Sequence, residues 1–141
     1  MNYNAEAQQK LEELQEVIKE VQEIGDRIKA NTNMFDTAFY LSCQDQLSQC
    51  YDVLLSSYMR IHAQLGEAEA SSFVAIRESH KGDVKKPIKE ELEAESRLQR
   101  NEIETADSVL EAWEKIIKNY IQTCRNHVMA SVKQFGEKPE E

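Results

Sequence analysis

Cys124 and His127 stand three residues apart and form the closest pairing of soft metal ligands in the chain. On a helix, such a pair shares a face. A structural zinc site wants four ligands, usually as two close pairs, and His62 and His80 lie elsewhere without such company. Cys124 also falls in an apolar helical seam, where a free cysteine behaves as a small hydrophobe. No metal site is therefore expected. Cys43 and Cys50, seven residues apart on one stripe, have no nearby histidine to act as base. A nucleophilic thiolate needs both a base and a stabilising charge, so these cysteines read as core. No H-E-x-x-H or G-x-S-x-G motif is present. Four glycines in total leave little material for a phosphate-cradling loop. The expectation is a protein with no catalytic residues, no cofactor and no small-molecule substrate.

Charge carries more information than any motif. The formal net charge is −9, which favours solubility and argues against a general nucleic-acid coat. It is spread unevenly. Residues 77–89 hold five bases (Arg77, Lys81, Lys85, Lys86 and Lys89) against Glu78 and Asp83, a net +3. Residues 90–114 hold nine acids against Arg97 and Arg100, a net −7. Residues 115–133 carry four bases and no acid, which suits the negative end of a helix dipole. The first basic cluster is a candidate phosphate-backbone contact, and the plainer alternative is a solvated loop that happens to be basic. Among the aromatics, Tyr40, Tyr51, Tyr58, Trp113 and Tyr120 lie on or beside apolar seams and read as core. Phe73 is the one near the basic cluster that could present a face to a base.

Long helices must position these groups. Glu, Gln, Lys, Ala and Leu dominate, and all are good helix formers. Turn residues are too sparse for an all-β fold. A first helix is expected over residues 5–30, on the heptad seam Leu11, Leu14, Ile18, Val21 and Ile28, with Gly25 in the skipped position. Gly25 either admits a close neighbour or marks fraying. Asn31, Thr32 and Asn33 should break this helix, because their side chains compete for backbone hydrogen bonds. A second helix is expected over 34–78, on Tyr40, Cys43, Leu47, Cys50, Leu54 and Ile61. Gly66 and the weak stretch after it bend this helix, divide it or leave it intact.

Residues 79–87 form a basic linker with a Gly and a Pro. Pro87 suits the opening of a third helix, expected as one piece over 88–134. Its seam is Ile103, Leu110, Trp113, Ile117, Tyr120, Cys124 and Val128. Residues 93–102 are poorly apolar and should be more exposed or mobile. Gly136 suits a C-cap, and residues 135–141 read as a flexible tail. The second and third helices would each span roughly 65–70 Å if straight. The fold expected is an all-α single domain, 1–141: an antiparallel helical hairpin or coiled-coil bundle with an N-terminal amphipathic helix. Its wide seams favour a homo-oligomer. No apolar run reaches the ~20 residues a membrane span requires, and residues 1–6 lack the basic-then-apolar pattern of a signal peptide. Three cysteines, an odd count, suit reduced thiols in a cytoplasm.

Several stretches have a familiar order and spacing. They are Met59-Arg60-Ile61-His62-Ala63-Gln64, the basic residues 77–89, Thr105-Ala106-Asp107-Ser108-Val109-Leu110, and Trp113-Glu114-Lys115-Ile116-Ile117 followed by Cys124. Together, over residues 54–133, they resemble the small recombination mediators of T4-type phages, the UvsY family. The resemblance implies a ring-forming helical protein that binds single-stranded DNA. Such a protein helps load a RecA-like recombinase onto strands covered by single-strand-binding protein, here in a host cytoplasm. It also implies a Lys-x-Arg contact at the end of the second helix, where Arg77 matches the Arg and Ala75 stands in place of the Lys. Two readings stand beside the mediator. One is an acidic phage adaptor or inhibitor of a host DNA-binding or defence protein, motivated by the stretch 90–114. The other is a structural or assembly element, motivated by the seams alone.

Overall fold

The computed structural model describes residues 3–83 and 88–136. Four helices follow in order: α1 (Tyr3–Ala30), α2 (Thr37–Ser79), α3 (Lys89–Gln99) and α4 (Asn101–Gly136). No strand occurs among the described residues, and none of their helices is long and apolar enough to cross a membrane. The helices pack against one another in two compact units. One comprises Met1–Glu13 with Ser56–Glu111, the other Leu14–Leu55 with Ala112–Glu141.

In the second of these units, α1 and α4 both run opposite to α2. The Arg27 guanidinium donates to Gln46 Oε1 at 3.0 Å. Tyr40 stacks on His127 with ring centroids 4.1 Å apart, and the Tyr51 hydroxyl donates to Glu114 at 3.1 Å. Rising numbers on α2 thus meet falling numbers on α4. The core between them is Leu14, Val21, Ile24, Ile28, Tyr40, Cys43, Leu47, Cys50, Leu54, Ile117 and Cys124. Each large aliphatic side chain buried this way contributes about 1.5–3 kcal/mol. Burial also pushes the Cys124 thiol up to about 11, with Cys43 nearby adding to it. Burial first, then Glu20, raises Cys50 to about 11. Both thiols are therefore protonated near neutrality and poor nucleophiles.

Gly25 is buried because α4 fills its missing side chain. A Cβ built there would lie 2.6 Å from Tyr120 Cζ and 2.7 Å from its hydroxyl oxygen. One turn on, the Lys29 ammonium sits 5.9 Å from the same ring's centroid. The close neighbour admitted by the gap in the heptad is an aromatic side chain.

In the other unit, α2 again runs against α1 and α4. Gln64 Nε2 donates to Glu6 Oε2 at 3.1 Å, and His62 Nδ1 lies 2.8 Å from Asp107 Oδ1. The Ile103 amide donates to Asn4 Oδ1 at 3.4 Å. Ala7, Ile61, Ala68, Ile76, Ile103, Ala106 and Leu110 are buried, together with Ser96 from α3.

The structure differs from the sequence expectation in three places and decides a question left open at Gly66. Helix α2 starts at Thr37 rather than Met34, because the Asp36 carboxylate accepts the Phe39 amide at 3.2 Å and so caps the first turn. It then runs unbroken through Gly66, which is exposed with nothing within 4 Å of an added Cβ. The third helix is two helices. At Arg100 (φ −124°, ψ 15°) the backbone leaves helical geometry, and its N–H bonds Arg97 O instead of the carbonyl four back. The Arg100 guanidinium secures this corner, donating to Ser96 Oγ at 2.7 Å and to Glu104 at 2.9 Å. Finally, Ser96 in the poorly apolar stretch is fully buried, because α3 turns it inward. The tail, 137–141, lies outside the described residues.

Candidate nucleic-acid interface

Phe73 and Arg77 stand four residues apart and so share a face at the end of α2, and Lys81 lies in the turn that follows. Helix α2 ends at Ser79, whose hydroxyl donates to Ile76 O at 2.6 Å. The chain then turns through amide bonds from His80 to Arg77 O and from Lys81 to Glu78 O. Helix α3 opens at Lys89, with Glu90 and Glu91 in its first turn, where the helix dipole favours acids. The two elements enclose a cavity of about 770 Å³ lined by Phe73, Val74, Arg77, Glu78, His80, Lys81, Lys89 and Leu92. Three permanent cations and one carboxylate therefore surround an aromatic ring and an apolar wall.

The structure thus brings together Arg77, Lys81 and Lys89 of the five expected nucleic-acid-binding residues. Lys85 and Lys86 lie outside the described residues. Phe73 is half-buried and lines the cavity. Arg77 is exposed, and its guanidinium has no hydrogen bond or ion pair among the described residues. Lys81 pairs loosely with Glu78 at 3.4 Å and Lys89 with Glu93 at 4.0 Å, all well exposed. Such surface pairs are worth about 0–1 kcal/mol, so a phosphate could exchange for them at little cost.

A second cavity of about 610 Å³ shares Phe73 and Val74 and is lined also by Glu69, Ala70, Glu93, Ser96, Arg97 and Arg100. Arg97 and Arg100 were not singled out from the sequence, where they counted only as minor offsets to an acidic stretch. Lys89, Arg97 and Arg100 recur at helical spacing, a signal that the surrounding glutamates obscured. Acids further along the same stretch are partly spoken for. Asp107 and Glu114 are buried. The Lys118 ammonium, then the Tyr51 hydroxyl, hold the Glu114 carboxyl below the usual carboxylate range, against the effect of burial.

The expected packing residues divide by depth. Leu14, Val21, Ile28, Leu47, Leu54, Ile61, Ile103, Leu110 and Ile117 are buried, whereas Leu11, Ile18, Trp113, Tyr120 and Val128 are half-buried. Cys124 is fully buried, and His127 spends its ring on Tyr40. Among the described residues, no three His, Cys, Asp or Glu side chains converge as a metal site. No family model, curated protein or solved structure matches this chain.

Proposed function

We propose that this protein is a non-enzymatic, oligomeric recombination mediator. It binds single-stranded DNA at the Phe73, Arg77, Lys81 and Lys89 cavity and helps load a RecA-like recombinase onto strands held by single-strand-binding protein. The observation that carries the binding part is the convergence of three cations and an aromatic ring on one open cavity. Cations supply sequence-independent attraction to phosphates, and an aromatic face stacks with any base. The loading role and the ring-like assembly come from the resemblance over residues 54–133. The half-buried Leu11, Ile18 and Val128 leave apolar surface for self-association.

The acidic-adaptor reading draws less support. Asp107 and Glu114 face inward, and Glu93 and Glu104 pair with Lys89 and Arg100. That leaves a smaller acidic face than the nine acids of residues 90–114 suggest.

Fluorescence anisotropy of a labelled single-stranded oligonucleotide tests the binding. Saturable binding that weakens with salt and falls several-fold in Phe73→Ala is the expected result. No binding at low salt would end the mediator reading and turn the search to protein partners. The loading role is tested by recombinase filament formation on coated strands, with and without this protein.

A further inference from the structure

His80 sits where α2 ends, and both of its ring nitrogens face carboxylates. Nδ1 lies 2.7 Å from Asp83 Oδ2, and Nε2 lies 3.1 and 3.2 Å from the two oxygens of Glu95 on α3. Ionised carboxylates only accept hydrogen bonds, and a neutral imidazole has one N–H to give. Both contacts are hydrogen bonds only when the ring is an imidazolium. The geometry therefore specifies a protonation state.

The same histidine lines the cavity, whose walls come from the end of α2 and the start of α3. His80 to Glu95 is a direct polar tie between those walls. The turn holds the ring in place, since the His80 amide bonds Arg77 O at 3.3 Å and the Asp83 amide bonds His80 O at 3.1 Å. The charged groups around the ring are Arg77 and Glu78 from α2, Lys81 and Asp83 from the turn, and Lys89 and Glu95 from α3. Asp83 and Glu95 approach opposite ring nitrogens, so the three side chains do not converge on a common cation.

We propose that His80 is a protonation-controlled clamp. As an imidazolium it ties α3 to the end of α2 and adds a fourth positive charge to the cavity; as a neutral ring it gives up one of the two ties and that charge. The consequence for ligand binding rests on the reading of this cavity as a single-stranded DNA site. The hydrogen bonds that the ring donates to Asp83 first, then to Glu95, raise the His80 pKa above its ordinary value. A raised folded-state value means the clamp is fully set below the unfolded histidine value of about 6.5 and is lost as pH rises through the higher folded one. Polyanion affinity should follow the same course, by at most about tenfold per pH unit for one linked proton.

The experiment has two arms. Ring-nitrogen NMR from pH 5.5 to 9 follows the three histidines, with His80→Gln assigning the signal. The expected result is an imidazolium at pH 6.5, a titration midpoint above the ordinary value, and a lower midpoint in Glu95→Gln. A His80 that titrates at or below the ordinary value, or carries one ring proton at pH 6.5, overturns the clamp. In the second arm, oligonucleotide anisotropy is repeated across this pH range. Wild-type affinity should fall as His80 deprotonates, while His80→Gln stays flat. Equal pH dependence in both proteins overturns the coupling. A raised His80 midpoint with no oligonucleotide binding at any pH upholds the clamp and overturns the DNA reading instead.

Discussion

Gly25 and Gly66 both sit inside long helices, and alanine should act oppositely at the two. At Gly66 an added methyl meets nothing within 4 Å, so Gly66→Ala gains the helix-propensity difference of about 1 kcal/mol, part of it by restricting the unfolded chain. At Gly25 the same methyl lies 2.6–2.8 Å from three Tyr120 ring atoms. Tyr120 must move, and overpacking of this kind costs about 1–3 kcal/mol. Against the same propensity gain, Gly25→Ala should be neutral to about 2 kcal/mol destabilising. In a Tyr120→Ala background the obstruction is gone, and Gly25→Ala should then stabilise as Gly66→Ala does. The coupling in this double-mutant cycle is therefore about 1–3 kcal/mol. Urea unfolding followed by circular dichroism measures each variant, and the slope checks that the unfolded state is unchanged. If Gly25→Ala stabilises as much as Gly66→Ala in both backgrounds, the ring does not occupy that gap and the described packing of α1 on α4 is wrong.

Three further outcomes are expected. Native protein should react slowly with a thiol reagent at neutral pH, because Cys50 and Cys124 are buried and titrate near 11; rapid labelling of either without denaturant contradicts the core. Glu114→Ala should cost about 0.5–1.5 kcal/mol by removing the acceptor of the part-buried Tyr51 hydroxyl. Because the Glu114 carboxyl is held low in the folded protein, its contribution is present above the unfolded carboxylate value and disappears as pH falls through the folded one; a wild-type and variant difference that persists at pH 2 speaks against this assignment. Light scattering after size exclusion should show an oligomer, and a monomer across the micromolar range removes self-association from the proposal.

The helices were readable because their apolar positions recur at three- and four-residue steps. Val21, Leu47, Ile61 and Leu110 are all buried where that spacing puts them. The features missed depend on partners that no local pattern announces. The third helix breaks at Arg100, where side-chain bonds to Ser96 and Glu104 secure the corner, and arginine is ordinarily a good helix former. Ile24 lies outside the heptad seam of α1, yet it is fully buried, because α1 meets both α2 and α4. Arg77, Lys81 and Lys89 were legible as a basic cluster from composition alone. That they share a cavity with Phe73, and that His80 reaches Glu95, depends on how α3 folds back beside α2. Acids that looked available from sequence, Asp107 and Glu114, are turned inward by the helical register.

The central claim is that Arg77, Lys81 and Lys89 take up nucleic-acid phosphates. Its most direct test is the salt dependence of single-stranded oligonucleotide affinity for wild type beside the Arg77→Ala, Lys81→Ala, Lys89→Ala triple variant. Each phosphate neutralised on a single strand adds about 0.7 to the slope of log affinity against log salt. Wild type should show a steep slope, reduced by about 2 in the triple variant, together with weaker binding. Binding whose slope is the same in both proteins would place the contact elsewhere and contradict the assignment.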